Sequence, residues 1–291
     1  MKPHAFGRLL MKIFVAVFLF YMLMPLVIMG GAALNNSRFP SVYPWVGLTG
    51  RWFEDLWMDA RMWIAIRNTV LVALSVVALA VPIGTAAAIL INGIDARARS
   101  FLYGMMIAPI LTPGVVIGIS TLLFWNAFSV PAGLWLSVLG QVSFIAAYVM
   151  LLVLARLQSF DPLLEEAALD LGASHAQVMR RIVVPHLYPA IGAGALIAFF
   201  QSVENFNVTL FTKGNSDTLT VYVFSKTRSG ITPTINALAL SLIGLTVIGA
   251  IVYEITRRRA EKRALEEAAA AAAAEDADLA AAGPLATPAA A

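Results

Sequence analysis

Cysteine is absent from this 291-residue chain, so it can form neither a disulfide framework nor a thiolate metal site or redox centre. Histidine is scarce. Only His4, His175 and His186 occur, all outside the apolar stretches, and they read as solvated rather than as ligands. No H-E-x-x-H pattern and no pair of carboxylates within an apolar stretch supports an intramembrane hydrolase. None of the five lysines, Lys2, Lys12, Lys213, Lys226 and Lys262, follows a glycine, so a P-loop is lacking and ATP hydrolysis belongs elsewhere. Charged residues make up only 13%. No basic cluster interleaves with aromatics, so a nucleic-acid partner is not expected, and the net charge of +3 reflects arginines flanking apolar stretches. The chain is expected to hold no cofactor and no metal of its own.

Apolar residues are what the chain has in abundance. They form 60% of it, with a mean hydropathy of +0.81, which places it in a lipid bilayer. A helix needs about 20 apolar residues to cross the hydrocarbon core. Six stretches qualify, approximately Leu10 to Leu34, Asn68 to Ile91, Phe101 to Asn126, Ala132 to Leu154, Ala190 to Phe211 and Ile235 to Tyr253. The first is too long for a signal-peptide core of about 7 to 15 residues and reads as an uncleaved span. Cations gather on the cytoplasmic side of membrane spans. With both termini cytoplasmic, 13 of the 20 Lys and Arg residues fall inside and 7 outside. The expected fold is therefore all-α and polytopic, with six transmembrane helices.

Between the first two spans, Pro40 and Pro44 open an outer segment where Trp45, Trp52, Trp57 and Trp63 recur among Glu54, Asp55 and Asp59. Indole rings favour the headgroup level, which points to a short interfacial helix. Pro82 and Gly84 interrupt the second span, and Pro109, Pro113, Gly114 and Gly118 the third. Such breaks either line a path or let helices pack closely. Beyond Arg259 the chain turns alanine-rich, with Glu266, Glu267, Glu275, Asp276 and Asp278, then Gly283, Pro284 and Pro288. Residues 1–9 thus form a cytoplasmic N-terminus, 10–259 a single membrane domain, and 260–291 a low-complexity tail, at most a frayed helical extension.

The polar loop 160–189 carries the densest information. Asp161 followed by Pro162 is a helix start: the carboxylate accepts free backbone N–H groups and proline presets the first helical φ. Glu165 and Glu166 favour the positive helix end. Leu163, Ala167 and Leu171 share a face beside Leu164 and Ala168, giving a low apolar stripe that another backbone could approach. Gly172 can close the helix in a left-handed conformation. Ser174 with Gln177 reads as a capping box opening a second helix, which should run through Val178, Arg180 and Arg181 until Pro185. The predicted result is a helix, a sharp turn and another helix on the cytoplasmic side.

Glu166-Ala167-Ala168, then Gly172, Ile182 and Val184-Pro185, resembles the EAA signature of inner-membrane permease subunits of binding-protein-dependent ABC importers. Every spacing matches, and Val184 stands where the pattern prefers leucine. The resemblance implies a transport subunit, not an enzyme, in which Asp161, Glu165, Glu166, Ala167, Ala168, Gly172, Ile182 and Pro185 belong to a loop coupled to separate ATPase subunits. ATP and Mg would be bound by those partners. A second, homologous or identical permease and an extracytoplasmic solute-binding protein are implied as well. Ser202 to Phe206, Thr218 to Tyr222, and Thr232 to Ala237, with Ala108-Pro109 and Pro113 to Ile119, are similar to the polyamine (spermidine/putrescine) branch. Where that branch carries paired aspartates, proline and glutamate, this chain has Glu204-Asn205, Thr220 and Thr234. Related branches carry thiamine, iron, sulfate or aminophosphonate, so the solute stays open.

On the fifth span Gln201, Glu204 and Asn205 fall at i, i+3 and i+4 and are expected to share a helix face, with Asn207 close by. Either this face lines the translocation path or its outer gate, or Glu204 sits near the interface and pairs with Lys213 or Lys226. An ion-gradient-driven secondary transporter would also use broken helices and a polar mid-membrane face. It would have no reason for the loop. A membrane scaffold without transport ranks last.

Overall fold

The computed structural model describes residues 3–230 and 232–281, with side chains described for 7–95, 97–230, 232–264 and 266. Lys2, His4, Glu267, Glu275, Asp276, Asp278, Gly283, Pro284 and Pro288, named above for their side chains or place in the sequence, lie outside these. Among the described residues no strand occurs. The chain divides into two compact units, one made of residues up to Phe53 together with those from Pro233 onward, the other of Glu54–Thr232.

In the first unit, α1 (Pro3–Leu34) packs along α12 (Pro233–Ala281), where Gly30 meets the Leu240 side chain. Asn35 ends α1 and is fully buried. Its amide donates to the carbonyls of Ser41 (2.9 Å) and Pro44 (3.0 Å), its carbonyl oxygen accepts from Val46 N–H (2.8 Å), and Trp52 Nε1 donates to its backbone oxygen (2.9 Å). One side chain thus folds the outer segment onto the end of the span, and α2 (Arg51–Trp57) is the short helix expected there. At the other end of this unit, α12 continues to Ala281 instead of fraying beyond the sixth apolar stretch. Alanine has the highest helix propensity, and Arg258–Glu254 (2.7 Å) and Arg257–Glu261 (2.8 Å) pairs at four-residue spacing support the polar section.

The second unit is built on α3 (Ala60–Asn92), α6 (Leu134–Leu157) and α9 (Val184–Val203), each packed against the other two. Val76, Ala80 and Ala88 of α3, Ile145, Val149, Met150 and Val153 of α6, and Leu187 and Ala198 of α9 form one buried apolar core. Between α3 and α6 in sequence lie α4 (Ala96–Leu111) and α5 (Gly114–Asn126), the third stretch that Pro109, Pro113, Gly114 and Gly118 were expected to interrupt. They meet at a 104° bend. Pro113 lacks the N–H that a continuing helix needs, and Thr112 is extended, as a residue before proline prefers. Among the described residues, five helical stretches are long and apolar enough to cross a membrane, 7–34, 60–92, 134–157, 175–203 and 233–264, and six if the bent pair counts as one broken span.

Asp59 caps α3 by accepting from the N–H groups of Arg61 (2.9 Å) and Met62 (3.4 Å). Its other oxygen accepts from Tyr222 Oη and from Lys226 Nζ, both at 2.8 Å, on α11 (Leu219–Ser229). Asn68 to the Asp217 carbonyl (2.9 Å) and Leu219 N–H to Thr69 Oγ1 (2.7 Å) tie the same helix lower down. Burial alone would raise the Asp59 carboxyl, but the hydrogen bonds and charge of Lys226, with those from Tyr222 and the Arg61 N–H, outweigh it and hold the group below the ordinary carboxylate value. Burial, then the adjacent Asp59 carboxylate, pushes the Tyr222 phenol upward, so it stays a proton donor.

Because the folded Asp59 value is depressed, its stabilisation is present above the unfolded value near about pH 4 and is lost as pH falls through the folded value. Asp59→Asn should therefore lower the melting temperature in detergent at neutral pH, with the gap to the parent closing on acidification below about pH 4. A second test concerns helix approach. A Cβ on Gly84 would collide with the Ala146 carbonyl and lie 2.7 Å from Val149 Cβ. Gly84→Val should cost about 1–3 kcal/mol of overpacking and reduce the monodisperse fraction in size-exclusion chromatography.

Candidate functional site

The loop after α6 forms α7 (Leu163–Asp170), a turn, and α8 (His175–Val178). Asp161 Oδ1 accepts from Leu163 N–H at 3.0 Å, which opens α7. At its other end Gly172 adopts φ +85°, while Gly172 N–H bonds to Leu169 O (2.9 Å) and Ala173 N–H to Ala168 O (3.0 Å). These two bonds constitute a Schellman closure. Ser174 and Gln177 cap each other reciprocally, with Gln177 N–H to Ser174 Oγ (3.3 Å) and Ser174 N–H to Gln177 Oε1 (2.8 Å).

The second helix does not stop at Pro185. It widens into a π turn over Met179–Val183, where Val184 N–H reaches back to Met179 O, and then becomes α9. Proline supplies no N–H and its ring crowds the preceding turn, so the wider turn lets the helix pass through it. Residues 175–203 are thus one helical rod.

One side of this loop is seated and the other is bare. Phe160, Ala168, Leu169, Ala173, Met179 and Ile182 pack against the core of the second unit. Arg156 Nε donates to the His186 carbonyl (3.2 Å), and the Phe160 ring meets the His186 ring edge-on at 5.3 Å. His186 is therefore not a solvated histidine: its Nε2 is buried without a hydrogen bond, whereas His175 is exposed. Leu163 (65% exposed), Leu164, Ala167 and Leu171 (89%) face outward, as do Glu166, Arg180 and Arg181. Glu165 is half-buried, and Ile182 anchors the loop from within. Leu163, Leu164, Ala167 and Leu171 thus form an exposed apolar ridge on a short, doubly capped helix.

The polar cluster at the far end of α9 differs from the sequence expectation. The helix ends at Val203 with Glu204 as its cap, the chain breaks over 204–206, and α10 (Asn207–Thr212) follows. Gln201, Glu204 and Asn205 therefore do not share one helix face. Gln201 lies on the last turn of α9, Glu204 at its end, Asn205 in the break, and Asn207 opens α10 against Gly114 of α5. Asparagine competes for backbone groups. Here Asn205 Oδ1 accepts from Val208 N–H (3.2 Å), and the Phe206 ring turns to Phe224, with centroids 4.7 Å apart.

Glu204 is exposed, and among the described residues its carboxylate has no hydrogen bond or ion pair. The pairing with Lys213 or Lys226 is overturned: Lys213 binds Asp217 (2.7 Å) and Lys226 binds Asp59 (2.8 Å). Behind the break lies a buried network that sequence reasoning missed. Ser202 Oγ donates to Gln141 Oε1 (2.5 Å), Gln141 Nε2 donates to Thr209 Oγ1 (2.9 Å), and the Ser137 and Thr212 hydroxyls meet at 2.8 Å. Interhelical hydrogen bonds of this kind contribute about 0.6 to 2 kcal/mol each in membranes. Ser137 and Gln141, four residues apart within a largely apolar span, and Ser202, Thr209 and Thr212 farther along the chain, were the available signal.

Residues 80–265 match the family described as the inner membrane component of binding-protein-dependent transport systems. The chain is 29% identical over 257 residues to the spermidine/putrescine transport system permease protein PotC of Escherichia coli (strain K12), covering 88% of this chain and 97% of that protein. It is 32% identical over 254 residues to the putrescine transport system permease protein PotI of the same strain, covering 84% and 89%. Among solved structures, a bacterial ABC transporter involved in the import of the acidic polysaccharide alginate superposes with a TM-score of 0.65 at 14% identity, covering 87% of this chain and 98% of that one, a likeness of fold. An ion-gradient-driven carrier is not favoured by these relationships. The relatives are transport subunits rather than enzymes, and the chain belongs to the family of inner-membrane permease components of binding-protein-dependent ABC importers.

Proposed function

We propose that this permease carries a small solute of the polyamine or a related class, and that its loop at 160–189 docks on a separate ATPase subunit. The observation that carries the docking reading is the bare ridge of Leu163, Leu164, Ala167 and Leu171 on a helix fixed at both ends and seated on the base of the core. Glu166, Ala167 and Gly172 enter the ATPase groove, Asp161, Glu165 and Pro185 hold the loop's shape, and Ala168, expected in the groove, instead packs on the core with Ile182 and roots the loop. ATP and Mg are bound by that partner. Both termini and the loop lie on the cytoplasmic side, in keeping with the 13 to 7 division of cations. A second permease, homologous or identical, completes the pore, and an extracytoplasmic solute-binding protein delivers cargo to the opposite side. The transport region spans 10–259, and the tail 260–291 is assigned no function.

The path reading rests on Glu204, an exposed carboxylate without a partner, at a helix break flanked by Gln201, Asn205 and Asn207. A free carboxylate within a membrane domain faces a cavity or a cationic guest. The polyamine names of relatives agree with that charge. Closure of the motor moves the docked loop and, with it, the rod of residues 175–203, switching the break between inward and outward access.

Gly172→Val places a β-branched residue at φ +85° without creating a clash, since nothing lies within 4 Å of its Cβ. In proteoliposomes with the ATPase and binding protein, uptake should fall more than about tenfold while the ATPase still co-purifies or hydrolyses ATP. Coupled uptake at the parental rate would refute the docking role. Glu204→Gln should raise the KM for labelled putrescine by about tenfold with assembly intact. An unchanged KM and rate would remove Glu204 from the path.

A further inference from the structure

We propose that Gln141 is a positioning residue for transport: it staples the end of α9 to the start of α10 and so fixes where Glu204 and Asn205 are presented. This rests on the reading that the break at 204–206 borders the solute path. Gln141 is fully buried within α6, and its carboxamide touches both sides of the break, accepting from Ser202 Oγ and donating to Thr209 Oγ1. Ser202 and Thr209 are seven residues apart. On a continuous helix they would be separated by about 10.5 Å of rise, too far for a single carboxamide to bridge. Both bonds therefore exist only while the chain is broken and folded back between them.

The chemistry of the staple is equally specific. Ser202 Oγ donates and Thr209 Oγ1 accepts, which one amide satisfies together; a carboxylate would hold Thr209 only by taking the hydroxyl proton that goes to Asn205, and an alkyl group holds neither. Thr209 Oγ1 in turn donates to Asn205 Oδ1 (3.5 Å), which also accepts Val208 N–H, so the relay from α6 ends on the residue next to Glu204. Close approach is built in on both sides. Gly140, beside Gln141, admits the Val208 side chain, and a Cβ on Gly118 of α5 would lie 3.1 Å from the Val208 backbone.

The absence of cysteine makes a direct test available. A single Glu204→Cys reporter in the complete transporter, assembled with its ATPase and binding protein, is reacted with a water-soluble cationic methanethiosulfonate. Gln141→Leu should change the modification rate by about fivefold or more. The triple variant Gln141→Leu, Ser202→Ala, Thr209→Val removes every polar member of the staple together, leaving no unsatisfied group. It should recover the parental melting temperature and keep the altered rate. A parental rate in the folded triple variant overturns the staple, because packing alone would then set the break. Should the triple variant fail to assemble, Ser202→Ala carries the same test: a shifted rate supports the staple and a parental rate overturns it. An unreactive reporter in the parent sinks the path reading, and the staple's role with it, which the other outcomes do not.

Discussion

A bilayer offers no water to an unpaired N–H or carbonyl, and that single constraint governs where this chain can depart from a straight helix. Departures occur at 112–113 and at 204–206. Each is underwritten locally. Thr112 Oγ1 donates to the Ala108 carbonyl at 2.9 Å in the first, and Asn205, Thr209 and Gln141 surround the second. The two breaks also adjoin: Gly114 and Gly118, just past the first, lie against Asn207 and Val208, just past the second. Small residues on one side let a folded-back helix fit on the other, so neither break stands without its neighbour.

The loop obeys a different rule, because water can satisfy its backbone and shape has to come from caps. Asp161, the Schellman closure at Gly172 and the reciprocal pair of Ser174 and Gln177 define it locally, and Phe160, Ile182 and Ala173 fasten it to the core. An apolar ridge left bare on so well-determined a helix is a cost the isolated chain does not recover. The proposed docking rests on that cost.

Local signals were legible in the sequence where neighbours in the chain decide the outcome. The caps of α7 and α8 follow from Asp161, Gly172, Ser174 and Gln177 alone, and the apolar spans follow from length and composition. What escaped was decided by distant residues. Asn205 could have continued a helix by periodicity; it stops one because Val208, Thr220 and the Gln141 network are placed to receive it. Glu204 was offered two lysines as partners, but Asp59 and Asp217 hold both more closely. Pro185 announced a helix end that a π turn removed. Propensity is local, whereas competition among partners is settled only by the packed fold.

The uninterrupted passage from α8 through the π turn into α9 makes a lever. Its 29 residues, 175 to 203, measure about 43 Å at the helical rise. A tilt of about 5° imposed at the loop end would carry the Glu204 end sideways by about 4 Å, roughly the width of an extended hydrocarbon chain. Had Pro185 broken the rod, the same push would have been absorbed at a joint.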